Sequence, residues 1–100
     1  MNIIITGASR GIGRDTAIAL SGNRNNHILA ISRSESLLRK LSGEAEFNNI
    51  SYMATDINES LKSPESFLKE LDLHFSGVDV LINNAGSLVS KPLAELSYSE

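Results

Sequence analysis

The chain has 100 residues, with 12 acidic against 9 basic side chains and a formal net charge of −3. One domain is the most that this length supports, and the mixed charges form no basic stripe of the kind that nucleic acid requires. Cysteine is absent and the two histidines, His27 and His74, lie far apart, which excludes disulfides and thiolate sites and leaves no metal expected.

The apolar runs are strand-length, well short of the roughly 20 residues that cross a bilayer. Met1 leads straight into the first run, with no room for a signal peptide. A soluble, cytoplasmic chain with neither a membrane nor a nucleic-acid partner is expected.

In chain order, Asn2 to Thr6 reads as a strand and about Ile12 to Gly22 as a helix. The polar tract Asn23-Arg24-Asn25-Asn26 turns the chain into a second strand, His27 to Ile31. Ser34 to about Leu41 reads as a helix, since Leu37, Leu38 and Leu41 gather on one face. Ile50 to Met53 is the third strand. Pro64 suits the first turn of a third helix, where its missing N–H costs nothing; Phe67, Leu68, Leu71 and Phe75 form its apolar stripe and Gly77 ends it. Val78 to Ile82 is the fourth strand.

Short apolar strands alternating with helices indicate a parallel sheet covered on both faces, joined by right-handed crossovers. The expected fold is α/β: a Rossmann-type, doubly wound parallel sheet in three layers, with ligands at the carboxyl ends of its strands. Ser97-Tyr98-Ser99-Glu100 has the form of a capping box, the first turn of a helix without a body. Residues 1–100 are therefore expected to be the N-terminal part of a single dinucleotide-binding domain. Its remainder is cut away, lies beyond this sequence, or comes from another chain.

Between the first strand and the first helix stands Thr6-Gly7-Ala8-Ser9-Arg10-Gly11-Ile12-Gly13. Such a unit suits a diphosphate. Glycine lets the backbone turn sharply and approach the ligand, and the helix aims free N–H groups at negative charge. The spacing Gly-x3-Gly-x-Gly differs from the Gly-x-Gly-x2-Gly of the common dinucleotide fingerprint. No Gly-Lys-Ser/Thr follows, which disfavours a P-loop. Taken alone, the turn reads equally well as a β-to-α connection that merely needs glycine. It nevertheless resembles the TGxxxGIG motif of the short-chain dehydrogenase/reductase (SDR) family. Asn83-Asn84-Ala85-Gly86 is similar to that family's NNAG motif, at a matching distance. The resemblance covers essentially the whole chain and implies the NAD(P)-binding part of an oxidoreductase.

Cofactor contacts are expected from Gly7, Ser9, Arg10, Gly11, Ile12 and Gly13 in the turn. After the second strand, where NAD-preferring Rossmann enzymes place an acid, this chain has Ser32 and Arg33. A guanidinium pairs with phosphate through a rigid, charge-assisted fork. Arg10 is placed to close on the same group, and the next acid, Glu35, lies beyond. Two solvated surface arginines are the plain alternative. In the resembled family, basic residues at these two positions go with NADP(H), so NADP(H) is expected ahead of NAD(H). The resemblance also places Asp56, followed by Ile57, at the adenine amino group, a donor that matches a carboxylate acceptor; the alternative is a turn or helix-cap residue. Asn83, Ala85 and Gly86 are expected beside the cofactor ribose, with the Asn83 side chain bracing strand ends, against a plain Asn/Gly turn.

The proton relay of the resembled family uses a Ser, a Tyr and a Lys, the last two in Tyr-x3-Lys spacing, assisted by an Asn. No such pair occurs here. Tyr52 has no lysine four residues on, Tyr98 is followed by the last two residues, and Ser87 and Ser90 come too early. No catalytic residue is therefore assigned. The expected function is that of an NADP(H)-dependent oxidoreductase of the short-chain type acting on a small alcohol or carbonyl substrate. This chain would supply the cofactor-binding half, and the intact protein would be a homodimer or homotetramer. Two alternatives stay open: a noncatalytic dinucleotide-binding or sensing module, and a half-fold stabilised by a partner along its open sheet edge.

Overall fold

A computed structural model describes residues 1–60 and 62–84. Its elements run β1 (Asn2–Thr6), α1 (Gly11–Ser21), β2 (His27–Ser32), α2 (Glu35–Glu44), β3 (Ile50–Ala54), α3 (Ile57–Ser60), α4 (Pro64–His74) and β4 (Val80–Asn83). All strand pairings are parallel, in the order β3-β2-β1-β4.

That order explains the layers. From β1 to β2 to β3 the chain steps in one direction, so right-handed crossovers place α1 and α2 on one face. The step from β3 to β4 reverses across β1 and places α4 on the other. The strands divide their side chains accordingly, because successive residues point to opposite faces. Ile3, Ile5, Ile28, Ala30 and Ile50 pack with Ala8, with Ala17 of α1 and with Leu38 and Leu41 of α2. Ile4, Leu29, Ile31 and Met53 pack with Phe75, and with Phe67 and Leu71 of α4. This is a Rossmann-type doubly wound α/β fold, and its topological switch point lies between β1 and β4.

The observed elements refine the sequence reading in several places. Helix α2 continues past Leu41 to Glu44 and is capped by Ser34, whose hydroxyl accepts the Leu37 N–H. Strand β4 begins at Val80 rather than Val78; Val78 is exposed. The single-turn helix α3 was not expected, since a four-residue turn has no periodicity to read; the Asp56 carbonyl accepts the Ser60 N–H at 2.9 Å. Leu68 is 57% exposed instead of lying on the apolar stripe. Phe67, Leu71 and Phe75 repeat every four residues and meet the sheet, whereas Leu68 is rotated by about 100° from Phe67. Helix α4 ends at His74, ahead of Gly77. The capping box at Ser97 to Glu100 lies outside the described residues.

At the opposite end of the sheet, the Asn49 side-chain amide donates to the carbonyls of Ser21 (3.0 Å), Asn23 (3.2 Å) and Asn26 (2.8 Å). It ties the α1–β2 loop to the start of β3 and so holds the far ends of the elements that carry the site.

Candidate cofactor site

The carboxyl end of β1 turns at Gly7, with φ of +63°, and enters α1 at Gly11, with φ of +62°. A side chain at either position would be strained, so both glycines are required by conformation. Between them, the Ala8 N–H donates to the Ile31 carbonyl at 3.3 Å, which fastens the turn to the end of β2. Gly13 has a different reason. A Cβ built there would lie 2.3 Å from the Gly7 carbonyl oxygen and 2.7 Å from Asn84 Nδ2. The first turn of α1 thus rests directly on the glycine-rich turn and on the end of β4.

The N-terminus of α1 is bare. Its N-cap residue, Arg10, is extended and makes no side-chain capping bond, and the first turn holds no acid. The first N–H groups of a helix have no intrahelical acceptor, and together with the helix dipole they favour an anion. Ile12, in this first turn, is 76% exposed, an apolar surface beside the polar one. Ser9 is half-buried in the turn.

Across the switch point, Thr6 joins β1 to β4. Its hydroxyl donates to Asn83 Oδ1 at 2.8 Å and accepts the Asn84 N–H at 3.0 Å. Asn83 therefore braces neighbouring strand ends. Thr6 and Asn84 were not singled out from sequence, because partners 77 and 78 residues away leave no local signal.

At the end of β2, the Ser32 carbonyl accepts the Thr55 N–H at 2.7 Å and its hydroxyl accepts the Ser34 N–H at 3.2 Å. These bonds join β2 to the end of β3 and shape the loop that carries Arg33. The five arginines divide sharply. Arg14 pairs with Glu44, Arg39 with Glu35, and Arg24 lies over the Phe47 ring. The side chains of Arg10 and Arg33, both exposed, make no ion pair or hydrogen bond among the described residues. Each stands two residues beyond one end of the Ala8–Ile31 backbone bond, so the two free cations leave adjoining segments. Asp56 is half-buried between β3 and α3, and Ile57 opens α3. Ala85 and Gly86 lie outside the described residues, as do Ser87, Ser90 and Tyr98.

A family model described as short chain dehydrogenase matches residues 1–100. The chain belongs to the short-chain dehydrogenase family. It is 36% identical to retinol dehydrogenase 13 of Homo sapiens, over 84% of this chain and 26% of that protein. It is 35% identical to the NADP-dependent 3-hydroxy acid dehydrogenase of Schizosaccharomyces pombe, over 84% of this chain and 33% of that protein. Among solved structures, a short chain dehydrogenase from Bacillus anthracis superposes with a TM-score of 0.72 at 26% identity, over 84% of this chain and 34% of that one. The chain spans about a quarter to a third of the length of these relatives.

Short-chain dehydrogenases bind NAD(P), and the residues present fit such a group. Two left-handed glycines, a helix seated where no Cβ can enter, and an uncapped helix N-terminus together form a low surface with exposed donors. Among the described residues, no group of three or more His, Cys, Asp or Glu could hold a metal, and no helix is long and apolar enough to cross a membrane.

Proposed function

We propose that this chain is the N-terminal, cofactor-binding part of an NADP(H)-dependent oxidoreductase that acts on an alcohol or carbonyl substrate. The observation that carries the phosphate preference is the division among the arginines. Among the described residues the side chains of Arg10, at the bare end of α1, and of Arg33, just past β2, have no ion pair, while Arg14, Arg24 and Arg39 are engaged elsewhere. The 3-hydroxy acid dehydrogenase relative is by name NADP-dependent, which supports the same reading.

When bound, a nicotinamide cofactor supplies or accepts a hydride. The roles of this chain are to bind and orient it. The N–H groups of the first turn of α1 face the diphosphate, and Gly7, Gly11 and Gly13 let it approach. Arg33, with Arg10 beside it, pairs with a 2′-phosphate. Asp56 offers an acceptor to the adenine amine, with Ile57 adjoining it. Asn83, Ala85 and Gly86 border the ribose, and the Thr6 bracket fixes the distance between β1 and β4. The proton-transferring groups belong to the remainder of the domain. The same reading makes the complete enzyme a cytoplasmic homodimer or homotetramer, which sedimentation and fractionation would test.

The deciding experiment is titration of the complete protein with NADP+ and NAD+, for wild type and Arg33→Ala. Wild type binds NADP+ more tightly. The substitution removes a charge-assisted hydrogen bond of about 1.5–3 kcal/mol, which weakens NADP+ by roughly ten- to a hundredfold and leaves NAD+ little changed. Equal losses for both nucleotides overturn the NADP(H) assignment, and failure of wild type to bind either overturns the dinucleotide reading.

A further inference from the structure

This inference rests on the cofactor reading above and concerns an acid that ought to oppose it. Glu35 is the first residue of α2, two residues past Arg33, and is the acid nearest in sequence to the Ser32-Arg33 pair. A free carboxylate there would repel a phosphate dianion and offset the charge of Arg33. The structure shows it engaged. Arg39, one turn along the helix, donates from Nη2 to Glu35 Oε1 at 3.0 Å. Tyr52 of β3 first, and Glu35 second, hold the Arg39 guanidinium above the ordinary arginine range.

We propose that Arg39 is a positioning residue for cofactor choice. By holding and neutralising Glu35, it keeps the charge of Arg33 available to a 2′-phosphate. The Glu35–Arg39 pair thereby sets the strength of the preference for NADP(H) from outside the cofactor contact surface. The pair contributes little to stability, because both side chains are exposed (59% and 68%) and exposed i,i+4 pairs are weak. Variants therefore remain folded, and their binding can be read directly.

The test measures NADP+ and NAD+ dissociation constants of the complete protein for wild type, Arg39→Gln, Glu35→Gln and the double variant. Unmasking one carboxylate near a dianion costs roughly two- to fivefold in affinity after screening. Arg39→Gln is therefore expected to weaken NADP+ by that factor and to leave NAD+ unchanged. Glu35→Gln keeps or tightens NADP+ binding, the double variant returns to the Glu35→Gln value, and the Arg39→Gln deficit shrinks at high salt. A structural role would not produce this recovery or this salt dependence. Equal losses for both nucleotides in Arg39→Gln, or no recovery in the double variant, overturn the proposal. A wild type that does not prefer NADP+ removes the cofactor reading beneath it. A wild type that does, with the same nucleotide ratio in Arg39→Gln, sinks this inference alone.

Discussion

Helices α1 and α2 leave the same end of the sheet and begin in opposite ways. Helix α2 is finished locally: the Ser34 hydroxyl accepts the Leu37 N–H, and Glu35 sits in the first turn to complement the dipole. Helix α1 has an extended arginine at its N-cap, no side-chain cap and no acid in its first turn. A cap is worth about 1 kcal/mol, so its omission at α1 carries a stability cost that needs a return. The glycine-rich turn beneath α1 supplies the reason, because the same N–H groups that lack a cap face the space where a diphosphate can lie. In the proposed cofactor reading, one helix start belongs to the scaffold and the other is kept open for the ligand.

The comparison can be broken most severely at Gly13. The Cβ of a Gly13→Val side chain meets the Gly7 carbonyl and the Asn84 side chain, so the helix must lift from the turn. Loss of nucleotide binding is expected, together with a destabilisation of about 1–3 kcal/mol from overpacking. Calorimetry beside a denaturant titration reads both, and wild-type affinity in the variant would show that the seating of α1 does not matter for the ligand.

A second change gives α1 the cap that α2 already has. Arg10→Asp places a side-chain acceptor and a negative charge at the bare N-terminus. Folding stability should hold or rise, by up to about 1 kcal/mol. Affinity for both nucleotides should fall by about tenfold or more, because the new carboxylate competes with the diphosphate, and NADP+ should lose more than NAD+, because Arg10 is also withdrawn from the 2′-phosphate. Unchanged affinity would mean that the open helix start is not the anion site.

The smallest effect is expected from removing the cap where it exists. Ser34→Ala should cost about 1 kcal/mol of stability and leave the ratio of NADP+ to NAD+ affinity as it is. A large change in that ratio with no loss of stability would move Ser34 out of the scaffold and into the cofactor site.

Much of this was legible in sequence because the requirements are local. A turn that needs left-handed backbone at two positions demands glycine at both, so Gly7 and Gly11 announce themselves. Short apolar runs alternating with amphipathic segments identify a parallel α/β sheet, since each strand must bury both faces. Pro64 marks a helix start through the backbone N–H that it omits, and the leucine spacing marks α2; that Ser34 caps α2 came from the structure. Arg10 and Arg33 could be nominated as phosphate partners by position alone, but whether their side chains were engaged by other groups could not be read.

What only the tertiary structure decided depends on contacts through space. The strand order β3-β2-β1-β4 sets which strand ends adjoin and therefore where a ligand can enter. The bond from Thr6 to Asn83 joins residues 77 apart, and no periodicity carries that information. Gly13 reads in sequence as a close approach of α1 to a ligand and to the sheet; only the fold names the groups that it approaches, the Gly7 carbonyl and Asn84. Leu68 and Phe67 are equally apolar neighbours, and only the angle at which α4 meets the sheet selects Phe67 for the core. Charge pairing follows the same rule where the partner is remote: Arg14 meets Glu44 and Arg24 meets Phe47, while the side chains of Arg10 and Arg33 have no ion pair among the described residues. Pairing depends on distance in space, which order along the chain gives only for near neighbours on one helix, such as Glu35 and Arg39.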